Sequence, residues 1–230
     1  MTAMAGGALR LIDSPVCYMR ERTDGPPQWT SALLPLAVYV AASAVSTIVV
    51  GERLNLVTRA ALREAGQTMP EVPLMLSMLI GGGSVVAGAT FVFALQVGAL
   101  WAVDALAVQS GRTPRLVEAA AVSYWPQAVY ALAAAAAMVL FFEPEPLRVP
   151  TGVSGIQLQS LIGDYGARMQ ATALPSSLML VRQMFLVWLT ALHACALRAV
   201  SGLSVGGAWT AGVVLVALFV VGPALVQWAF

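Results

Sequence analysis

Two side chains that can do chemistry sit inside one apolar stretch, "SSLMLVRQMFLVWLTALHACALRAVSGLS" from Ser176 to Ser204. They are Arg182 and His193, the latter the only histidine of the chain. Eleven residues on a helix is about three turns, so the two fall on nearly one face. Ionisable groups inside a membrane span are functional candidates by default, because keeping them there is expensive. Their positions favour a plainer part. Arg182 lies seven residues past Pro175, about 10 Å along a helix axis, and a guanidinium can reach headgroups from there. His193 lies five residues before Arg198 and close to the other end, where it can stay neutral with one hydrogen-bond partner. The expectation is that Arg182, Gln183 and His193 act as interfacial anchors or as polar glue between helices. A transport or relay role is the alternative.

A second candidate is "GVSG", Gly152 to Gly155, with the Gly-x-Ser-Gly form used by intramembrane serine proteases and a histidine on a later helix. A nucleophilic serine needs a base within hydrogen-bond reach and fixed oxyanion donors. Ser154 instead follows "EPEPLRVPT" in a polar connection, so a protease is a remote reading. No phosphate-cradling loop ends in Lys-Ser or Lys-Thr, and one histidine does not make a zinc cluster. The carboxylates Asp104, Glu118, Glu143, Glu145 and Asp164 fall in connections or at the ends of apolar runs, which weakens a proton-coupled carrier. No catalytic residue, cofactor or metal site is expected.

The elements that position these residues follow from composition. The chain has 230 residues, 59% hydrophobic and 10% charged, with a mean hydropathy of +0.81. Soluble domains carry about 25% charged residues, so the bilayer is the solvent this chain is built for. All 12 basic residues are arginine, scattered rather than clustered, which argues against a nucleic-acid surface. Cys17 and Cys195 are too isolated to frame disulfides. Residues 1–29 lack the apolar core of a secretory signal and read as an N-terminal amphipathic, cytoplasmic segment, with 30–230 as the transmembrane domain.

About 20 helical residues cross a bilayer core. Five stretches qualify: 30–50, 74–103, 118–142, 175–200 and 205–228. The reading is therefore all-α, a polytopic integral membrane protein of five spans. The second span contains "GGG" at Gly81–Gly83 and reads as one long helix, with two re-entrant pieces as the alternative. Pro126 in "SYWPQAVY" predicts a kink in the third. Trp29, Trp101, Trp125, Trp209 and Trp228 stand at or near span ends, as indoles prefer.

The connections carry patterns of their own. "LIDSPVCYMRER" has Asp13 or Ser14 as a cap and Pro15 at the first helical position. It predicts a short helix on the membrane surface or, alternatively, a solvated capped turn. "ERLNLVTRAALREAG" predicts a separate amphipathic helix. Ile156 to Tyr165 predicts a short helix after a Pro-rich extended run. Arginine counts leave orientation nearly balanced. A cytoplasmic N-terminus puts Arg10, Arg20, Arg22, Arg112, Arg115 and Arg198 on its side, and Arg53, Arg59, Arg63, Arg148 and Arg168 on the other, with Arg182 nearest to these.

Small residues recur four apart: Gly83/Ala87 and Ser84/Gly88 on the second span, Ala133/Ala137 on the third, Gly207/Ala211 on the fifth. That spacing lets backbones approach and pack in lipid. Packing within the bundle and an intermolecular face are both open readings.

Three stretches together resemble the Yip family of Ypt/Rab-interacting membrane proteins, in its bacterial branch. "LIDSPVCYMRER" is similar to the family's proline-containing amphipathic start. "GRTPRLVEAAAVSYWPQAVY" is similar to its Gly-rich turn and Tyr-x-Pro-like kink. "RQMFLVWLTALHACALRAVSGLSVGGAWTAGVVLVALFV" is similar to its Phe-x-x-Trp span, turn and last span, with Phe185 and Trp188 in the motif positions. The acidic residue often found two before that Phe is Gln183 here, preceded by Arg182, so a role tied to that carboxylate does not carry over. The resemblance implies five spans, a cytoplasmic N-terminus, a periplasmic or lumenal C-terminus and no known catalysis. Eukaryotic relatives are associated with small GTPases and vesicle traffic, and some bacterial ones resemble accessory subunits of ABC-type efflux transporters. The expectation is a non-enzymatic bacterial inner-membrane scaffold or accessory subunit, with the lipid bilayer and other membrane proteins as partners. The alternative is a small carrier or lipid-handling protein using Arg182 to attract an anionic headgroup.

Overall fold

The computed structural model describes residues 10, 11, 13–66, 74–150, 152, 153 and 155–218, and among these every regular element is a helix. In chain order they are α1 (Pro15–Asp24), α2 (Trp29–Glu64), α3 (Leu74–Ala107), α4 (Thr113–Val122), α5 (Trp125–Phe141), α6 (Gly155–Gln170), α7 (Ala173–Ser201) and α8 (Val205–Val216). Four helical stretches are long and apolar enough to cross a membrane: Trp29–Glu64, Leu79–Ala107, Thr113–Phe141 and Ala173–Ser201. The fifth expected span is described only in its first part. Val205–Val216 is a shorter apolar helix, and the stretch from 219 lies outside the described residues, as does Ser154.

The first span and the amphipathic helix expected after it are one element. α2 runs 36 residues, about 54 Å at 1.5 Å per residue, well beyond the ~30 Å core. Nothing between them stops a helix: Gly51 is a lone weak point, and "ERLNLVTRAALRE" is rich in helix formers. The "GGG" of α3 is likewise helical throughout. The third span departs in the other direction. Instead of a kink at Pro126, the helix stops at Val122 and restarts at Trp125, with Ser123 and Tyr124 as a turn. Pro126 has no N–H to pair with the Val122 carbonyl, and its ring disfavours helical geometry just before it.

Contacts divide the chain into two compact units. The first draws on residues up to Val40, on Ala89–Tyr130 and on the chain from Arg182. Its core gathers Leu100, Leu116, Val122, Leu192 and Leu197, with Leu11 and Met19 from the N-terminal end. Ser14 stands at the N-cap of α1 and Pro15 at its first position, although the serine side chain makes no cap hydrogen bond. On α1, Met19 is buried in this core, while Cys17 and Arg20 are exposed.

The second unit draws on Ala41–Gly88 and Ala131–Val181. Its core is smaller: Ala61, Phe142, Leu147, Tyr165 and Met169 are buried together. The Pro-rich connection is fastened to α6 there. The Tyr165 hydroxyl donates to the Glu145 carbonyl at 2.7 Å, and the Glu145 N–H donates to Met169 Sδ at 3.4 Å. Burial beside Glu145 raises the Tyr165 phenol above its ordinary pKa, so it stays a donor across the physiological range.

Candidate functional site

The expected pair on α7 separates in environment. Arg182 is exposed and within electrostatic range of Tyr130. His193 is 0% exposed, packed where the backbone of Ala120 faces it, and neither ring nitrogen closes a hydrogen bond. Eleven residues put them ~16 Å apart along the axis. No shared chamber follows from their common face. The two groups thus differ in exposure, Arg182 open and His193 enclosed. The cause is the depth of packing: from Leu189 to Ser201 the helix is largely enclosed, whereas around Arg182 it is open. Gln183 is half-buried, with its Oε1 unpartnered.

The most developed polar arrangement was not singled out by spacing. Glu118, on the first turns of α4, is wholly buried and its carboxylate is shared by three groups. The Gln28 N–H donates to Oε1 at 3.1 Å, Arg22 Nε lies 3.6 Å from the same oxygen, and Arg115 Nη1 donates to Oε2 at 3.2 Å. Arg115 Nη2 also donates to the Gly25 carbonyl, and Arg22 Nη2 to Ser31 Oγ at 2.5 Å. Gln28 opens α2, so the carboxylate also meets the positive end of that helix. The arrangement ties α1, the turn after it and the start of α2 to α4. Its two oxygens both have protein partners and are enclosed. The Arg115–Glu118 spacing of three was the signal that could have found it.

A second buried set lies at the break in the third span. The Tyr124 hydroxyl donates to Gln96 Oε1 at 2.6 Å, and its ring packs 5.7 Å from Tyr39 and 5.8 Å from Phe93. Gln127 is buried with Nε2 unpartnered. Phe185 bridges Tyr130 and Trp188 at centroid distances of 5.5 and 5.9 Å. In the other unit, Arg53 donates to the last carbonyls of α5: Met138 at 3.4 Å, Val139 at 2.6 Å, and Phe142. The guanidinium thus meets carbonyls of the kind a helix C-terminus leaves without an intrahelical partner.

The small-residue candidates meet different fates. Gly207 is half-buried against Leu203, Ala211 is buried, and a Cβ built on Gly212 would meet the Ala194 Cβ at 3.1 Å. That stripe is consumed in packing α8 on α7. On α3, Gly81 and Gly82 face Thr47 and Ile48 of α2. Gly83, Ser84, Ala87 and Gly88 are all exposed, and a Cβ at Gly83 or Gly88 would find nothing within 4 Å. Among the described residues no three His, Cys, Asp or Glu side chains gather as a metal site. Comparison of the chain with protein-family models, with curated proteins and with solved structures gave no match in any of the three.

Proposed function

We propose that this chain is a non-enzymatic, multi-pass scaffold or accessory subunit of a bacterial inner membrane, with its N-terminus cytoplasmic, as its likeness to the Yip family suggests. It docks a larger membrane complex, for which an ABC-type efflux transporter is a fitting class. The observation that supports this reading is the open face of α3. Gly83, Ser84, Ala87 and Gly88 form a shallow floor between Leu79, Ile80 and Val86, which are 62%, 63% and 49% exposed. Lipid tails gain nothing special from such a floor, whereas a partner helix gains backbone approach. The buried, fully partnered Glu118 fits the same picture of a rigid part that holds. Purification of the chain in mild detergent tests the proposal. A co-purifying membrane protein that is lost in Gly88→Leu supports it, and a lone monomer that ignores this substitution overturns it.

A small carrier or lipid-handling protein is the second reading, favoured by the buried, unpartnered amide atoms of Gln127 and Gln183. Unpaired polar atoms at that depth are costly unless a solute or water visits them. Arg182→Ala then slows movement of anionic solute or lipid in vesicles; unchanged rates refute this reading.

A further inference from the structure

α7 and α8 form an antiparallel hairpin closed by the three-residue connection 202–204, in which Gly202 takes a positive φ of 72°. Gly212 of α8 lies directly against Ala194 of α7. Beside that contact the small side chains leave a groove of about 320 Å3. Val187, Ala191 and Cys195 line it on α7, Trp209 and Val213 on α8, and Val16 of α1 adds a further apolar side chain. These positions recur at three and four residues on both helices, so the groove is one continuous strip ~16 Å long. Its walls are apolar along that length. Arg198 stands at the end nearest the hairpin turn, is exposed, and has no ion pair among the described residues. Trp209 is 68% exposed along its side.

We infer that this groove is a binding site for one anionic phospholipid, with an acyl chain laid along the α7–α8 strip and the phosphate on Arg198. Charge selects the occupant. A strip that is apolar for its whole length and cationic at one end matches a molecule that is hydrocarbon for its length and anionic at one end. The volume, about 320 Å3, lies at the small-ligand end of pocket sizes, enough for part of one acyl chain. The occupant is also at hand, since α7 is long and apolar enough to lie in a bilayer. The inference stands on residues apart from the α3 face, so either can fail alone.

Trp209 is a built-in reporter. The full chain is placed in phosphatidylcholine vesicles with either brominated phosphatidylglycerol or brominated phosphatidylcholine, and quenching is read as the difference from Trp209→Phe. One arginine–headgroup contact near a membrane surface is worth about a fivefold preference. The expected result is therefore stronger association of the glycerol lipid by about that factor. Arg198→Gln abolishes the preference, Arg198→Lys keeps most of it, and Ala191→Phe, which fills the strip from an exposed position, weakens quenching by both lipids. Equal quenching by the two lipids in the unmodified chain overturns the inference, as does a preference that survives Arg198→Gln. Absence of quenching by either lipid overturns it too, and a photoactivatable maleimide on Trp209→Cys, in a chain carrying Cys17→Ser and Cys195→Ala, then shows a protein occupant by cross-linking between copies or to residues 219–230.

Discussion

The small-residue stripes of α3 and α8 are alike in sequence and opposite in use. On α8, Ala211 is buried and Gly212 is held so close to Ala194 that a Cβ on it would stand 3.1 Å from the Ala194 Cβ. On α3, Gly83, Ser84, Ala87 and Gly88 are exposed, and a Cβ on Gly83 or Gly88 would find nothing within 4 Å. Each stripe states only that a backbone can be approached. Whether it is approached depends on a neighbour delivered by another part of the chain. The three-residue turn after Ser201 forces α8 back along α7, so its stripe closes at once. α3 turns Gly81 and Gly82 to α2 and leaves the wider arc unmatched.

The comparison breaks most sharply at the polar lock of the closed unit. Glu118→Ala strips two donors and the Arg22 guanidinium of a buried carboxylate, and removing one side of a buried pair costs about 3 kcal/mol or more. Thermal unfolding in detergent should fall accordingly, with faster proteolysis near Gly25 as α1 detaches. Gly212→Leu comes next. Overpacking a close helix contact costs about 1–3 kcal/mol, read in the same melt. Arg53→Met, which keeps the stem but removes its bonds to the end of α5, should cost about 1.5–3 kcal/mol, since hydrogen bonds involving a charged group are worth about that much. Gly88→Leu should move the melt by about 0.5 kcal/mol or less while removing partner association. A loss of stability at Gly88 matching that at Gly212 would erase the distinction between the stripes.

Much of the fold was legible. The span over 175–200 became Ala173–Ser201, and 74–103 became Leu74–Ala107, because sustained apolar runs leave a backbone few options in lipid. Junctions were read less well. Continuity of α2 past Glu52 and interruption at Ser123 and Tyr124 depend on small local balances: helix formers outweighing one glycine, and one proline outweighing a run of alanines. The site was legible only in part. Arg182 and His193 stood out as ionisable groups in an apolar run, yet their common face did not bring them together. Arg53 gave no signal, since its acceptors lie some 85 residues away in sequence.

What the sequence determined by itself is the solvent. With 59% hydrophobic and 10% charged residues, long helices suited to a bilayer follow from the cost of bare peptide groups in hydrocarbon. Tertiary structure alone decided which polar side chains are enclosed and which small faces stay open. Those outcomes turn on contacts between residues distant in the chain, such as Gln28 with Glu118 or Gly212 with Ala194. Helical spacing fixes where a side chain points on its own helix, and not what another helix brings to meet it.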